Sequence, residues 1–207
     1  MNTPALADAL WRNQGQTLTP ELIFGILQAA TFKPDNAVAN AQFEKREYKG
    51  FVFAVERIRD VVDEIRPLHQ AHWEESESFR HGLPLKPNYG TWLADEQEGR
   101  FVLFTIRQDG ALKGYCQVYL TVSNHTGTNI CNEDALYLHP DARKGFTCSQ
   151  FAKYAEWVVR QLGVREVRLS VKVTNDVWKL WERIGYQRTG HELVKILENE
   201  DETKTAL

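Results

Sequence analysis

The chain has 207 residues, of which 43% are hydrophobic and 26% are charged, and its formal net charge at pH 7 is −3. This length suits one well-cored domain with short additions and is too short for two enzyme-sized domains. The acidic balance argues against a dedicated nucleic-acid binder, and no apolar run approaches the roughly 18 residues that span a bilayer. The three cysteines, Cys116, Cys131 and Cys148, are widely spaced, which favours a reducing, cytoplasmic compartment over a disulfide framework.

Residues 1–45 have the pattern of a small helical appendage. Two short amphipathic stretches, Ala5 to Arg12 and Glu21 to Ala30, precede the breaker string at 33–36, and Thr19-Pro20 is typical of a helix start. Neither helix is long enough to be stable alone, so both must pack on the body or on a partner. We expect this segment to make a homo-oligomer or assembly contact.

The following residues alternate between strand and helix patterns. In chain order we predict a strand at 51–56, a helix from Asp60 to about Phe79, a loop holding Pro84 and Pro87, a strand at 101–107, a turn at Asp109-Gly110, strands at 112–122 and 134–138, a helix from Thr147 to Leu162, a strand from Val164 to Val173, a helix at 175–183 and a strand near 190–197. This order predicts one α/β (α+β) domain over residues 46–197. The acidic segment 198–207 has the composition of a solvated tail.

Two of these elements have clear periodicity. Between Val164 and Val173, valines and a leucine alternate with Arg168, Ser170 and Lys172, as in a strand with one buried face. The preceding helix carries one apolar stripe, made of Phe151, Ala155, Val158 and Leu162. Together with the strand at 134–138, they form a β-α-β unit.

The turn that enters this helix has the sequence HPDARKGFT at 139–147. It places Arg143, Lys144 and Gly145 before a helix N-terminus, whose unpaired N–H groups and partial positive charge suit a phosphate or pyrophosphate. A glycine here lets a ligand approach the main chain. A turn glycine beside two solvated cations fits the same residues, so both interpretations stay open.

The run LYLHPDARKGFTCSQFAKYAEWVVRQLGVREVRLSV, followed by TNDVWKLWERIGYQ, resembles the acyl-CoA-binding half of the GNAT superfamily of N-acetyltransferases. In that family a strand leads through a Q/R-x-x-G-x-G/A turn into a helix, and a strand, a short helix and a GF or GY close follow. Upstream, HQAHWEE at 69–75 and the SNHTG loop look like a subgroup encoded by bacteriophages and prophages. The resemblance covers about residues 50–197. It implies a GNAT-like mixed, mostly antiparallel central sheet flanked by helices. The likeness to phage proteins also implies that the protein is located in a host cytoplasm or in a virion.

The resemblance also implies a site for acetyl-CoA as co-substrate. The strand ending at Leu138 would run along the pantetheine arm, and the turn would hold the pyrophosphate through main-chain N–H groups, with two cations adding attraction. The expected cofactor-binding residues are Leu136, Tyr137, Leu138, Arg143, Lys144, Gly145, Phe146, Thr147, Cys148, Asn175 and Trp181. An amine would then attack the thioester directly, with a base taking its proton and an N–H stabilising the oxyanion.

Four positions depart from the family pattern. Ala142 and Thr147 stand at the first and last motif positions, and Cys148 stands where phage relatives often have glycine. These side chains narrow the space for a phosphate. Trp181 occupies the place of the commonest family acid, a tyrosine, and an indole N–H cannot act as an acid near neutral pH. Many family members manage without that tyrosine, because a thiolate is a tolerable leaving group.

We expect Glu133 and Asp134 to supply the general base, since they open the strand that leads to the turn. Two solvated carboxylates at the start of a strand fit this pattern equally well. Cys148 lies at a helix N-terminus, which can lower the pKa of a thiol. No Cys-His-Asp order surrounds it, so we do not expect covalent catalysis.

Candidate acceptor-side residues come from a helix and a loop. Glu74 and Glu75 lie near the end of the first long helix and can bind an amine electrostatically, and His125 belongs to the SNHTG loop. His69 and His72 are three residues apart on the helix, but no third ligand has suitable spacing, so we expect no metal site.

The resemblance leads to two functions. The first is an acetyl-CoA-dependent N-acetyltransferase that acts on a protein lysine, a protein N-terminus or a small amine. The alternative is a GNAT fold without chemistry, serving as a virion structural or ejected component or as another protein-binding component. Retention of Arg143, Lys144 and Gly145 favours the enzyme, whereas the missing tyrosine, the crowded turn and the N-terminal helices favour the alternative.

Overall fold

The computed structural model describes residues 10, 13–31, 43–81, 84–172, 175 and 177–195. The elements in chain order are α1 (Pro20–Thr31), β1 (Arg46–Tyr48), β2 (Phe51–Val55), α2 (Ile58–Ser76), α3 (Ser78–His81), α4 (Tyr89–Gln97), β3 (Phe101–Gln108), β4 (Ala111–Val122), β5 (Asn129–Leu138), a 3-10 turn (Pro140–Ala142), α5 (Thr147–Gln161), β6 (Glu166–Arg168) and α6 (Trp178–Arg183). The helix predicted from Ala5 to Arg12, apart from Leu10, and the tail at 198–207 lie outside the described residues.

The strands form one six-stranded sheet in the order β1-β2-β3-β4-β5-β6. All neighbouring pairs are antiparallel except β5 and β6, which are parallel. Asp109 and Gly110, which join β3 to β4, have φ values of 51° and 80°, as a two-residue hairpin turn requires. A mixed, mostly antiparallel sheet flanked by helices confirms the predicted fold class.

Each face of the sheet has its own hydrophobic core. On one face, α5 contributes Phe151 to a cluster that includes Phe104 of β3. On the other face, α2 contributes Ile65 to a cluster with Tyr115 of β4 and Tyr137 of β5. Because side chains alternate along a strand, β4 and β5 direct one row of residues toward α5 and the other toward α2. The two faces are called the α5 side and the α2 side below.

The helix predicted in the N-terminal appendage is present as α1. The Thr19 hydroxyl accepts the N–H of Leu22 at 3.2 Å, which caps the helix where Thr19-Pro20 predicts its start. Ile26 is buried, whereas Ile23 is 42% exposed. An apolar side chain therefore remains on the surface of this segment, and its predicted assembly contact stays a prediction.

The stretch predicted as a loop around Pro84 and Pro87 contains a helix, α4. Asn88 caps it by accepting the N–H of Thr91 at 3.2 Å. The prediction was wrong because two prolines and a glycine dominate the local composition, whereas the helix is stabilised by packing: Trp92 stacks on Phe101, with 6.2 Å between ring centroids.

Two predicted strands near the C-terminus differ from the structure. The strand predicted from Val164 to Val173 pairs only over Glu166–Arg168. The N–H of Ser170 points to the Glu133 carboxylate, at 3.4 Å, instead of to a backbone carbonyl of β5. The strand predicted near 190–197 is not formed over 190–195, and 196–197 lie outside the described residues. A three-residue edge strand presents few backbone groups with which another strand can pair.

Candidate active site

A gap opens between β5 and the chain that follows β6. The parallel ladder has three registered pairs and ends where Asn132 lies opposite Arg168. Beyond that point β5 continues to Leu138, whereas residues 169–172 form no ladder with it. The edge of β5 from 133 to 138 that faces away from β4 therefore has no strand partner among the described residues.

A β-bulge lies at the mouth of this gap. In the pairing of β4 with β5, Gln117 lies opposite Ala135 and Val118 lies opposite Glu133, so Asp134 has no partner on β4. A bulge bends its strand and increases the local twist. The bend accounts for the divergence of β5 from β6 immediately after Asn132.

On the α5 side, the gap leads into a small apolar cavity of about 30 Å³. Val167 and Leu169 line it, which confirms which face of the predicted strand is buried. Trp181 also lines it, is buried and contacts Tyr186 edge-on, with 5.4 Å between the ring centroids. Trp181 therefore packs at the place where the family commonly has a tyrosine acid.

The two predicted base residues both lie at the gap. Glu133 lines the cavity, and burial raises its pKa to about 7. Its Oε2 accepts the N–H of Ser170 across the gap, at 3.4 Å. Asp134 is exposed on the bulge. A carboxyl group with a pKa near 7 can exchange protons at neutral pH, which a solvated glutamate does poorly.

The turn before α5 presents unpaired backbone donors. Gly145 has a φ of 57°, and a Cβ there would meet nothing within 4 Å, so the main chain is open on that side. The N–H groups without an acceptor among the described residues are those of Lys144, Gly145, Phe146, Cys148 and Ser149. Unpaired N–H donors at a helix N-terminus are the feature that the predicted anion site requires.

The side chains expected to crowd this turn are directed inward. Thr147 is 2% exposed, and its hydroxyl donates to the carbonyl of Lys144 at 2.7 Å. Cys148 is half-buried, and burial raises the pKa of its thiol to about 11. The suggestion that the helix N-terminus lowers this pKa is wrong, because desolvation of the thiolate outweighs the dipole.

Arg143 bridges the turn to the α2 side. Its Nε donates to the carbonyl of Leu138 at 2.7 Å, and its Nη1 and Nη2 donate to the two carboxylate oxygens of Glu75, each at 2.6 Å. The guanidinium carbon lies 5.2 Å from the centroid of the Tyr137 ring. These bonds use three of the five N–H donors of Arg143, so a phosphate would share the guanidinium with Glu75 or replace it.

The end of α2 contacts both sides of the gap. Glu75 binds the turn as described, and Glu77, the residue after the helix, binds Lys172 on the β6 side with a distance of 2.9 Å between Oε1 and Nζ. Between them, the Nδ1 of His72 lies 2.7 Å from the hydroxyl oxygen of Tyr115. Burial lowers the pKa of His72, which favours its neutral form.

The sequence model of the Acetyltransferase (GNAT) family matches residues 59–186. The chain belongs to this family. The match includes the end of α2, the gap and the turn before α5, so the described site lies within the GNAT domain.

Solved structures have the same fold as this GNAT domain. A ribosomal-protein-alanine N-acetyltransferase from Brucella melitensis biovar Abortus 2308 is 21% identical, with a TM-score of 0.58 over 72% of this chain and 99% of its own. An aminoglycoside acetyltransferase from an uncultured soil metagenomic sample is 10% identical, with a TM-score of 0.56 over 72% and 96%. A transcriptional regulator from Bacillus halodurans C-125 is 14% identical, with a TM-score of 0.58 over 70% and 99%. Among curated protein sequences, none matches this chain.

His69 is a structural residue of the α2 side. Its Nδ1 lies 3.0 Å from the Tyr89 hydroxyl, and its Nε2 lies 3.3 Å from the side-chain nitrogen of Gln117. Burial lowers its pKa to about 4. Across the described ranges, no three His, Cys, Asp or Glu side chains are grouped to hold a metal ion. The described helices include none with the length and apolar character of a membrane span.

Two predicted site residues lie away from the gap, and a third lies at its edge. Glu74 accepts a hydrogen bond from Gln70 at 2.6 Å on the exposed side of α2. His125 belongs to the β4-β5 hairpin loop, at the opposite end of the ten-residue β5 from the turn, about 30 Å along the strand. Asn175 is exposed, and its N–H donates to the carbonyl of Lys172 at 2.9 Å. It borders a wide cleft of about 1270 Å³ beyond β6.

Two residues that contribute to the site were not predicted. Tyr115 is 1% exposed beneath α2, and the alternation that makes Cys116 a core residue of the α5 side could have placed Tyr115 on the opposite face. Lys172 stood out only as part of the polar face of a strand. The sequence does not tell on which side of the sheet this polar face lies. The sheet topology places it on the α2 side.

Proposed function

We propose that the chain transfers an acetyl group from acetyl-CoA to an amine. The observation that carries this proposal is the gap between β5 and residues 169–172, with unpaired donors of the α5 turn at one end and Glu133 inside it. Amides of a pantetheine arm suit the unpaired edge of β5, because both carry backbone-like donors and acceptors. A pyrophosphate suits the turn, where Lys144 adds a cation.

Glu133 is the group best suited to take the proton of the ammonium acceptor. Its pKa of about 7 makes it largely a carboxylate in slightly alkaline solution while keeping it a competent base. An N–H on the unpaired edge of β5 near the Asp134 bulge is suited to stabilise the oxyanion. Trp181 contributes packing, and the thiolate of CoA leaves without a protein acid.

The α2 side is the place for the acceptor. Glu75 and Glu77 each bind a cation of the chain at the end of α2, so this place suits a cationic amine that replaces one of those partners. The names of the similar structures refer to a ribosomal-protein alanine in one case and to an aminoglycoside in another, so the shared fold leaves the acceptor open. The resemblance to a phage-encoded subgroup stays a prediction.

The test is calorimetric titration with acetyl-CoA and with CoA. We expect micromolar binding by the wild type and a loss of about 1 to 3 kcal/mol in Lys144→Ala, because one charge-assisted contact is removed. Lys153→Ala, which removes an exposed cation from the outer surface of α5, is the matched control and should bind like the wild type. No binding at millimolar CoA would reject the proposal in favour of a GNAT fold without chemistry.

A further inference from the structure

One lysine side chain of the chain itself already lies on the acceptor side of the gap. Val167 and Leu169 line the cavity on the α5 side, whereas Lys172 reaches the opposite side and binds Glu77 at 2.9 Å. The side chains are 32% and 17% exposed, respectively, so this ion pair is partly enclosed. The side chain carries a protonated primary amine that is held by a carboxylate. An amine acceptor is in this state before a base removes its proton.

The charge of Lys172 also acts on the groups around the gap. Burial raises the pKa of Glu133, and the ammonium of Lys172 partly offsets this effect. Burial lowers the pKa of His72, and the same ammonium adds to that shift. Ser170, two residues before Lys172, donates its N–H to Glu133. Two residues of extended chain span about 7 Å, so the amine of Lys172 belongs to the same short segment as the N–H that binds the candidate base on β5.

We propose that Lys172 is an acetylation site of this chain and that the chain acetylates it in its own gap. The inference rests on the proposed function, since it uses the same base and the same acetyl donor. Lys172 is suited to this because Glu77 already binds its ammonium on the acceptor side, and because Ser170, two residues earlier, donates its N–H to the candidate base.

The reaction balances with acetyl-CoA as the only co-reactant. Glu133 takes one proton from the ammonium of Lys172 and later passes it to solvent. The neutral amine forms a C–N bond with the thioester carbonyl carbon, the C–S bond breaks, and the second nitrogen proton goes to the departing sulfur. The products are Nε-acetyl-lysine, CoA thiol and one released proton. The acetylated side chain is uncharged, so Glu77 loses the ion pair with Lys172.

The order in which lysines are labelled distinguishes this reaction from uncatalysed acetylation. Lys153 and Lys179 are exposed, whereas Lys172 is partly enclosed and ion-paired. Direct chemical attack by acetyl-CoA therefore favours Lys153 and Lys179, because an enclosed ammonium is a poor nucleophile. Only a folded site with a base and a bound thioester reverses this order.

The experiment incubates the purified full chain with acetyl-CoA and follows each lysine by peptide mass spectrometry. We expect Lys172 to be acetylated at least tenfold faster than Lys153 and Lys179, at a rate independent of protein concentration, and to lose this preference in denaturant. Glu133→Gln should slow labelling of Lys172 by tenfold or more without changing that of the other two. Lys172→Arg keeps the positive charge beside Glu77. It should abolish the fast acetylation at position 172 and leave the labelling of Lys153 and Lys179 unchanged.

Several results would overturn the inference. Labelling of Lys172 no faster than that of Lys153 and Lys179, or equally fast in denaturant, would show uncatalysed chemistry. A rate proportional to protein concentration would show transfer between chains rather than within one. Calorimetry on the same sample separates the two proposals: acetyl-CoA binding without the fast label rejects self-acetylation alone, and absence of binding rejects the proposed function as well.

Discussion

Arg143 and Glu75 form a bidentate ion pair, with both nitrogen–oxygen distances at 2.6 Å, that joins the turn before α5 to the end of α2. The guanidinium lowers the pKa of Glu75, so the pair is charged at neutral pH. One partner borders the predicted pyrophosphate site and the other borders the predicted acceptor side. The pair therefore links the two halves of the proposed reaction site.

This link predicts the effect of removing the carboxylate. In Glu75→Gln the carboxylate no longer competes with a phosphate for the guanidinium or repels its negative charge, so we expect acetyl-CoA to bind a few-fold more tightly. The ion pair is partly exposed, with side chains 38% and 47% accessible, so the gain should stay below about 1 kcal/mol. Calorimetry measures it, with Glu74→Gln as the matched control on the same helix. Unchanged affinity would mean that Arg143 does not reach the phosphates.

The raised pKa of Glu133 predicts a pH-dependent rate. The base is the carboxylate, so the rate of acetyl transfer should rise with pH through about 7 and then level off. Glu133→Gln should reduce kcat by roughly 10²-fold or more and abolish the inflection. Release of CoA thiol, followed from pH 5.5 to 9, checks both expectations. A wild-type inflection that persists in the variant would assign the titration to another group.

The same pKa predicts the opposite trend for stability. Between pH 4.5, the ordinary value, and about 7, the folded chain keeps a proton on Glu133 that the unfolded chain has released. Raising the pH across this window therefore favours unfolding. Glu133→Gln removes this dependence, so its stability relative to the wild type should increase with pH, by at most about 3 kcal/mol. Urea denaturation at pH 4.5 and pH 8 measures the change; a constant difference would contradict a proton bound at Glu133.

Local periodicity was enough to predict the elements nearest the gap. The apolar stripe around Phe151 predicted α5 to within a residue, and Asp109-Gly110 predicted the β3-β4 turn. The strand alternation separated Val167 and Leu169 from Lys172, and in the structure the first two line the cavity on the α5 side whereas Lys172 binds Glu77 at the end of α2. Such patterns record which face of an element is buried, and burial is what a sequence encodes most directly.

Local sequence patterns could not predict the long-range contacts that form the site. The bulge at Asp134 depends on the register between β4 and β5, and the ion pair of Arg143 joins residues 68 positions apart. The sequence identified Glu75 as an amine-binding carboxylate and Arg143 as a phosphate-binding cation, and the structure pairs them with each other. Tertiary packing brings the two residues together. In the sequence alone, each of them has the pattern of a solvated charge.

An amide NMR spectrum recorded during titration with CoA tests directly whether the gap and the turn before α5 bind the cofactor. We expect the N–H signals of Gly145, Phe146, Cys148 and Ser149, together with those along 133–138, to shift as CoA binds, while the signal of His125 in the distant hairpin loop does not. Shifts confined to other parts of the chain, or none at millimolar CoA, would contradict the assignment of the gap and the turn as the acetyl-CoA site.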